Sequence, residues 1–135
     1  MVSIEYLAGF IDGEGSIQVS KGATHKTKKR IYYLRLSVHQ MDRRPLAEMS
    51  ERWGGSLRYV TSHHPRPIWE WVVSGTTAGR VIAEIEPFLI TKREQAVLGL
   101  RFQSLKTGKG SGRPTTDEQL AQHDAIYQEM RALKH

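Results

Sequence analysis

The hydrophobic pattern changes period along the chain, and each change marks an element. From Ile4 to Ile11, apolar residues crowd a short run of good helix formers behind Ser3, a natural N-cap. From Ser16 to Ser20, polar and apolar residues alternate, the period of a half-buried strand. Ile17 and Val19 are expected to face a core, with Gln18 and Ser20 facing away. Alternation returns from Ile31 to Gln40. There Tyr32, Leu34, Leu36 and Val38 form one face and Ile31, Tyr33, Arg35, Ser37 and His39 the other. Asp42 is placed to cap a helix through Trp53, with Pro45 in its first turn and Leu46, Met49 and Trp53 on one stripe. Gly54-Gly55 closes it. Strands follow at Ser56 to Ser62 and Ile68 to Ser74, joined by His63-His64-Pro65-Arg66-Pro67. Trp69, Trp71 and Val73 are expected inward, which makes Glu70 and Arg58 candidates for the outer face, the parity of Arg58 staying open. A helix from about Thr77 to Ile85 turns Val81, Ile82 and Ile85 inward, and Pro87 ends it. Thr91-Lys92-Arg93-Glu94 has capping-box form. It opens a helix whose first residue is Lys92 and which carries Val97, Leu98, Phe102 and Leu105. A Gly-, Ser- and Lys-rich linker at 106–114 precedes a last helix at 115–135. Thr115 to Glu118 reads as its capping box, and Leu120, Ile126, Tyr127, Met130 and Leu133 as its inner face.

This order, αββαββα followed by C-terminal helices, predicts an α+β domain. Its four-stranded antiparallel sheet should carry helices on one face and polar, basic residues on the other. The 135 residues make one domain with a core over about 1–105, long enough to bury apolar side chains.

Charge then narrows the partner. The formal net charge is +6 and the pI about 9.8, which favours a polyanion, nucleic acid first. Lys21 to Arg30 holds five formal positive charges, with His25 uncounted. A hairpin tip bearing Thr24, His25, Lys26, Lys28 and Arg30 suits a phosphate-lined groove, and suits a solvated loop equally well. The outer set Gln18, Ser20, Tyr33, Arg35, Ser37, His39, Arg58 and Glu70 mixes hydrogen-bonding groups with cations, a composition able to read base edges. Arg66, in the turn with two histidines, can touch phosphate. The absence of Cys excludes a disulfide framework and thiolate metal sites. No apolar run is long enough to span a membrane, and no secretory signal is expected. No Ser/His/Asp constellation is visible, so a covalent nucleophile is not expected.

The most informative stretch is Leu7-Ala8-Gly9-Phe10-Ile11-Asp12-Gly13-Glu14-Gly15. Gly9 and Gly13 are four apart, so they share one bare helix face that suits close approach of a second backbone. Asp12 and Glu14 stand at the negative end of the helix dipole, where an exposed carboxylate costs about 0.3–1 kcal/mol. Hard divalent cations take oxygen ligands, and binding one would account for carboxylates kept there. Lys92 at the start of a later helix is electrostatically out of place in the opposite sense.

These nine residues resemble the LAGLIDADG motif of the homing endonucleases, read here as LAGFIDGEG with changes at Phe10, Gly13 and Glu14. The resemblance covers roughly the first 105 residues and implies a saddle-shaped sheet set into a DNA major groove. Because the motif occurs once, it implies a homodimer with the motif helices at the two-fold axis, involving Leu7, Ala8, Gly9, Asp12 and Gly13. A two-fold protein implies a near-palindromic target. By the same resemblance Glu14 is a metal-binding acid, the Gly13 carbonyl a further ligand, and Mg²⁺ or Mn²⁺ the ion. Asp12 is expected to be mainly structural. Gln40 aligns with a polar residue that positions water, and Lys92 with the family's active-site lysine. Arg43 and Arg44 compete for a third basic position. The implied function is site-specific cleavage of double-stranded DNA. An intron RNA maturase and a catalytically inactive DNA-binding protein are the alternatives.

Overall fold

The computed structural model describes residues 2–23, 30–61, 66–107 and 116–133. Helix α1 (Ile4–Glu14) starts where Ser3 Oγ accepts the Tyr6 amide at 3.1 Å. It passes without a loop into β1 (Gly15–Ala23), which pairs with β2 (Arg30–Gln40). A Cβ added at Gly15 would stand 2.8 Å from the Ile11 carbonyl oxygen, so only glycine fits this junction. Helix α2 (Arg43–Trp53) leads to β3 (Ser56–Val60), β4 (Ile68–Ser74) and α3 (Gly75–Ile85). A 3₁₀ turn at Glu86–Phe88 precedes α4 (Arg93–Thr107) and α5 (Asp117–Leu133). Strand β3 stops at Val60, short of the predicted Ser62, which lies outside the described residues. Helix α3 begins two residues before the predicted Thr77, because Gly75 at φ 61° turns the chain straight out of β4. Most of the predicted linker also falls outside the described residues.

The sheet order is β1-β2-β4-β3, all antiparallel. Directly paired residues share a face, so the register sorts every strand residue. One face carries Ile17, Val19, Leu34, Leu36, Val38, Trp71 and Val73, all buried against Leu7, Ala8 and Ile11 of α1, Ile82 and Ile85 of α3, Phe102 of α4 and Ile126 and Met130 of α5. The predicted inner face of β2 is correct at every position. Trp69 is only half-buried, flanked by Tyr59 and by Arg43 above its ring. Of the apolar residues on α4, Val97 and Leu105 are exposed, and the helix meets the sheet and α5 through Leu98 and Phe102. Helix α5 instead buries His123, whose ring lies edge-on to Tyr32 and Phe102. Tyr32 completes that attachment by donating its hydroxyl to Asp124 at 2.7 Å.

Two capping boxes need correction. The last helix opens on Thr116 and Gln119, each side chain accepting the other's amide at 3.1 and 2.9 Å, one residue after the predicted pair. The Thr91–Glu94 box does not form. Thr91 donates its hydroxyl to the Asp12 carbonyl instead, and the helix is assigned from Arg93.

Candidate functional site: the end of the first helix and the outer sheet face

The two misplaced charges in the sequence resolve each other. Asp12 accepts the backbone N–H groups of Ile90 and Thr91 on Oδ2, at 3.1 and 3.2 Å, and of Lys92 on Oδ1, at 2.9 Å. The Lys92 amide stands at the positive end of α4 and the other two in the turn leading into it, so Asp12 fixes the start of a helix that is not its own. In return Lys92 Nζ donates to the Asp12 backbone carbonyl at 2.6 Å, putting a cation on the negative end of α1. Partial burial by itself would raise the Asp12 pKa, but the amides of Lys92, Thr91 and Ile90 outweigh it and hold the carboxyl below its ordinary value. These bonds tie the end of α1 to the start of α4 through Asp12.

Glu14, two residues further on, differs in every respect. Its side chain is exposed and has no hydrogen bond or ion pair among the described residues. Gly9 and Gly13 are exposed too, and a Cβ at either would meet nothing within 4 Å. None of the described residues requires glycine at those two helical positions, although each costs about 1 kcal/mol relative to Ala. Leu7 and Ala8, grouped with them from the motif, are buried in the core of the chain itself.

The rest of the predicted catalytic set gathers only partly here. Because Gly15 pairs with Val38, the end of β2 runs beside the end of α1. Gln40 ends that strand but pairs with Trp69, on the opposite side of the sheet from His39. Its amide oxygen accepts the Met41 N–H at 2.9 Å, leaving its NH₂ group to offer to solvent. Arg44 is held by Asp42, with Nη2 to Oδ2 at 2.6 Å, and this contact first of all draws the Asp42 pKa down to about 2. Arg43 lies over Trp69, and no hydrogen bond or ion pair joins either arginine to Glu14 among the described residues. Sequence reading missed Ser16 and Gln95, which line an open cleft of about 390 Å³ with Gly15, Thr91 and Lys92.

Away from the helices, the register places Ser16 opposite Ser37, Gln18 opposite Arg35, and Ser20 opposite Tyr33. Glu70 lies between His39 and Arg58 in one row across three strands, which settles the parity of Arg58. The outer set therefore does share one face. Glu70, however, is not presented there. Its side chain is only 6% exposed, and it is bonded to Arg58 and His39, each at 2.7 Å. Burial would raise its pKa, but the Arg58 hydrogen bond and the charges of His39, Arg58 and Arg35 lower it overall. Of the remaining predicted contacts, Thr24, His25, Lys26 and Lys28 lie outside the described residues, as does the Arg30 side chain, while Arg66 is exposed beyond β3.

The model of the LAGLIDADG endonuclease family matches residues 7–97. Among solved structures, the chain superposes on the homing endonuclease I-CvuI, solved in complex with the I-CreI target in the presence of Mg, with a TM-score of 0.80, 23% identity, and coverage of 97% of this chain and 81% of that one. The archaeal intron-encoded homing endonuclease I-Vdi141I, complexed with DNA, gives 0.79 at 19% identity, covering 98% and 84%. I-SmaMI, bound to cleaved DNA, gives 0.80 at 17% identity, covering 98% of this chain but 45% of that longer one. No curated protein sequence matches.

Proposed function

Because the chain belongs to the LAGLIDADG endonuclease family, we propose that it is a homodimeric, divalent-metal-dependent endonuclease that cuts both strands of duplex DNA at one long, near-palindromic site. The observation that carries this reading is the pairing of features on α1. Glu14, exposed and unengaged among the described residues, ends a helix whose glycine face meets none of them. A second copy of α1 against that face would bring two Glu14 carboxylates together at the two-fold axis. Like charges that close repel, and a cation between or beside them relieves the repulsion.

The donor set fits a hard cation as half a site. Among the described residues no three His, Cys, Asp or Glu side chains converge to hold an ion. Mg²⁺ is characteristically bound by one or two carboxylates, with water and substrate phosphate completing an octahedron. Glu14 and the Gly13 carbonyl are the ligands this chain would supply, and Mn²⁺ would suit the same oxygens. Such an ion, when bound, supplies Lewis acidity and an activated water. The chain's own residues do the rest. Asp12 and Lys92 clamp α1 to α4 and so fix where Glu14 stands. The ammonium of Lys92, anchored on the Asp12 carbonyl, keeps a positive charge where a phosphate would gain negative charge. Gln40 offers an amide to order water. The outer sheet face, with Gln18, Ser20, Tyr33, Arg35, Ser37, His39 and Arg58, would lie in the major groove of one half-site.

The test is incubation of the protein with a duplex target library in Mg²⁺ and in EDTA. Cleavage at one site in Mg²⁺ alone, abolished by Glu14→Gln with binding retained, is the expected result. Binding to a selected duplex with no cut in Mg²⁺ or Mn²⁺ would leave the inactive DNA-binding protein. Selection of intron RNA in preference to any duplex would leave the maturase.

A further inference from the structure

Among the described residues, Glu70 is the one acid on the outer sheet face, and the endonuclease reading leaves its position unused. A carboxylate that reads a base must turn an oxygen to the groove to accept from cytosine N4. Glu70 cannot. Oε1 takes Arg58 Nε at 2.7 Å, and Oε2 takes His39 Nε2 at 2.7 Å and faces Arg35 Nη2 at 3.5 Å. The carboxylate is thus a buried anchor beneath three cationic or potentially cationic groups. They differ in reach. The Arg35 side chain is 24% exposed and also approaches Ser37 Oγ at 3.5 Å, whereas the Arg58 side chain is 64% exposed. Arg58 sits at the centre of β3, in a row with Glu70 and His39.

The atom that Glu70 holds decides what Arg58 can do. With Nε engaged, the two amino groups at the far end of the guanidinium remain as a planar, parallel pair of donors. Anchoring Nε also fixes the plane of the fork, which a phosphate contact does not require and a base-edge contact does. Two parallel acceptors at the matching spacing, O6 and N7, are displayed in the major groove by guanine.

Resting on the DNA-binding reading above, we propose that Glu70 is a positioning residue for sequence recognition: it orients Arg58 to read one guanine in each half-site. Arg58 touches the base, and Glu70 acts only through Arg58.

The experiment is selection from a randomised duplex pool in Ca²⁺, which allows binding to be scored apart from cutting, using the full-length wild type, Glu70→Gln, Arg58→Gln and the double variant. The wild type should enrich guanine at one position, repeated with two-fold symmetry. Each single variant should lose that preference by on the order of 10-fold while keeping the rest of the profile. The double variant should be no worse than Arg58→Gln, the signature of two residues acting as one. A merely structural Glu70 would lower the melting temperature without moving one base position. Should Glu70→Gln fail to fold, Glu70→Asp withdraws the anchor by one methylene, and the exposed Arg58→Lys removes the fork while keeping the charge. Both should relax the same position. Unchanged guanine preference in the folded Glu70 variant overturns the proposal. So does uniform weakening of all duplexes by Arg58→Gln, which marks a phosphate contact. A wild-type pool with no enriched duplex would instead overturn the DNA-binding reading beneath it, a distinguishable failure.

Discussion

Two carboxylates two residues apart on α1 stand in opposite conditions. Asp12 accepts three backbone amides and has its own carbonyl bonded by Thr91 and Lys92. Glu14 is bonded by nothing among the described residues. Both are electrostatically unwelcome at a helix C-terminus, yet the fold compensates only one. A carboxylate whose acceptors are filled by its own chain is holding the structure. One left bare in the same unfavourable field gains nothing from its own fold, and the endonuclease proposed above gives it a cation to bind. Glu70 extends the contrast to the sheet: it is filled by side chains rather than amides, so it orients side chains where Asp12 orients backbone.

The contrast can be broken most forcefully at Glu14. Glu14→Gln should reduce DNA cleavage on the order of 1,000-fold while leaving stability within about 0.5 kcal/mol, read by single-turnover cutting and by denaturant titration. Wild-type cleavage by this variant would show that the bare carboxylate has no part in the chemistry. Next in size is the glycine face. Gly13→Leu adds a side chain to space that none of the described residues fills. The chain should still fold, but the dimer should dissociate at least 10-fold more readily in sedimentation velocity. A monomeric wild type would remove the two-fold axis from the mechanism altogether.

Asp12→Asn should do the reverse of Glu14→Gln, lowering stability by roughly 2 kcal/mol through weakened charge-assisted hydrogen bonds. Its acid dependence sharpens the point. The folded pKa of Asp12 is depressed, so its contribution is complete above the unfolded carboxylate value of about 4 and disappears as pH falls through the folded value. The stability gap between wild type and Asp12→Asn should therefore close on acidification below about pH 4, and the gap for Glu70→Gln should follow the same sign. A gap that widened in acid would show that protonated Asp12 serves α4 better than the carboxylate. The smallest effect is expected at Arg44. Its side chain is 90% exposed against Asp42, and solvent screens so open a pair, so Arg44→Ala should leave the thermal melt unchanged.

Most of the sheet was legible in the sequence because strand parity is a local property. Period-two alternation in β1, β2 and β4 already sorted Ile17, Leu34, Leu36, Val38 and Trp71 from Gln18, Arg35, Ser37 and His39. The motif likewise singled out Gly9, Gly13 and Glu14, whose meaning depends on what is missing around them. The buried face of α4 was not legible in the same way. Val97, Leu98, Phe102 and Leu105 all lie on that helix, but which of them are buried depends on how α4 meets its neighbours.

What only the tertiary structure decided is which charge answers which. Asp12 and Lys92 are 80 positions apart, and each looked misplaced on its own helix; docking the end of α1 on the start of α4 turns two penalties into two caps. Glu70 read as one more polar residue on an alternating strand. Only the strand order β1-β2-β4-β3 puts His39 and Arg58 on either side of it. Covalent neighbours determine local period and propensity. Partners for a charge are set by elements brought together across the fold, and no spacing along the chain encodes that meeting.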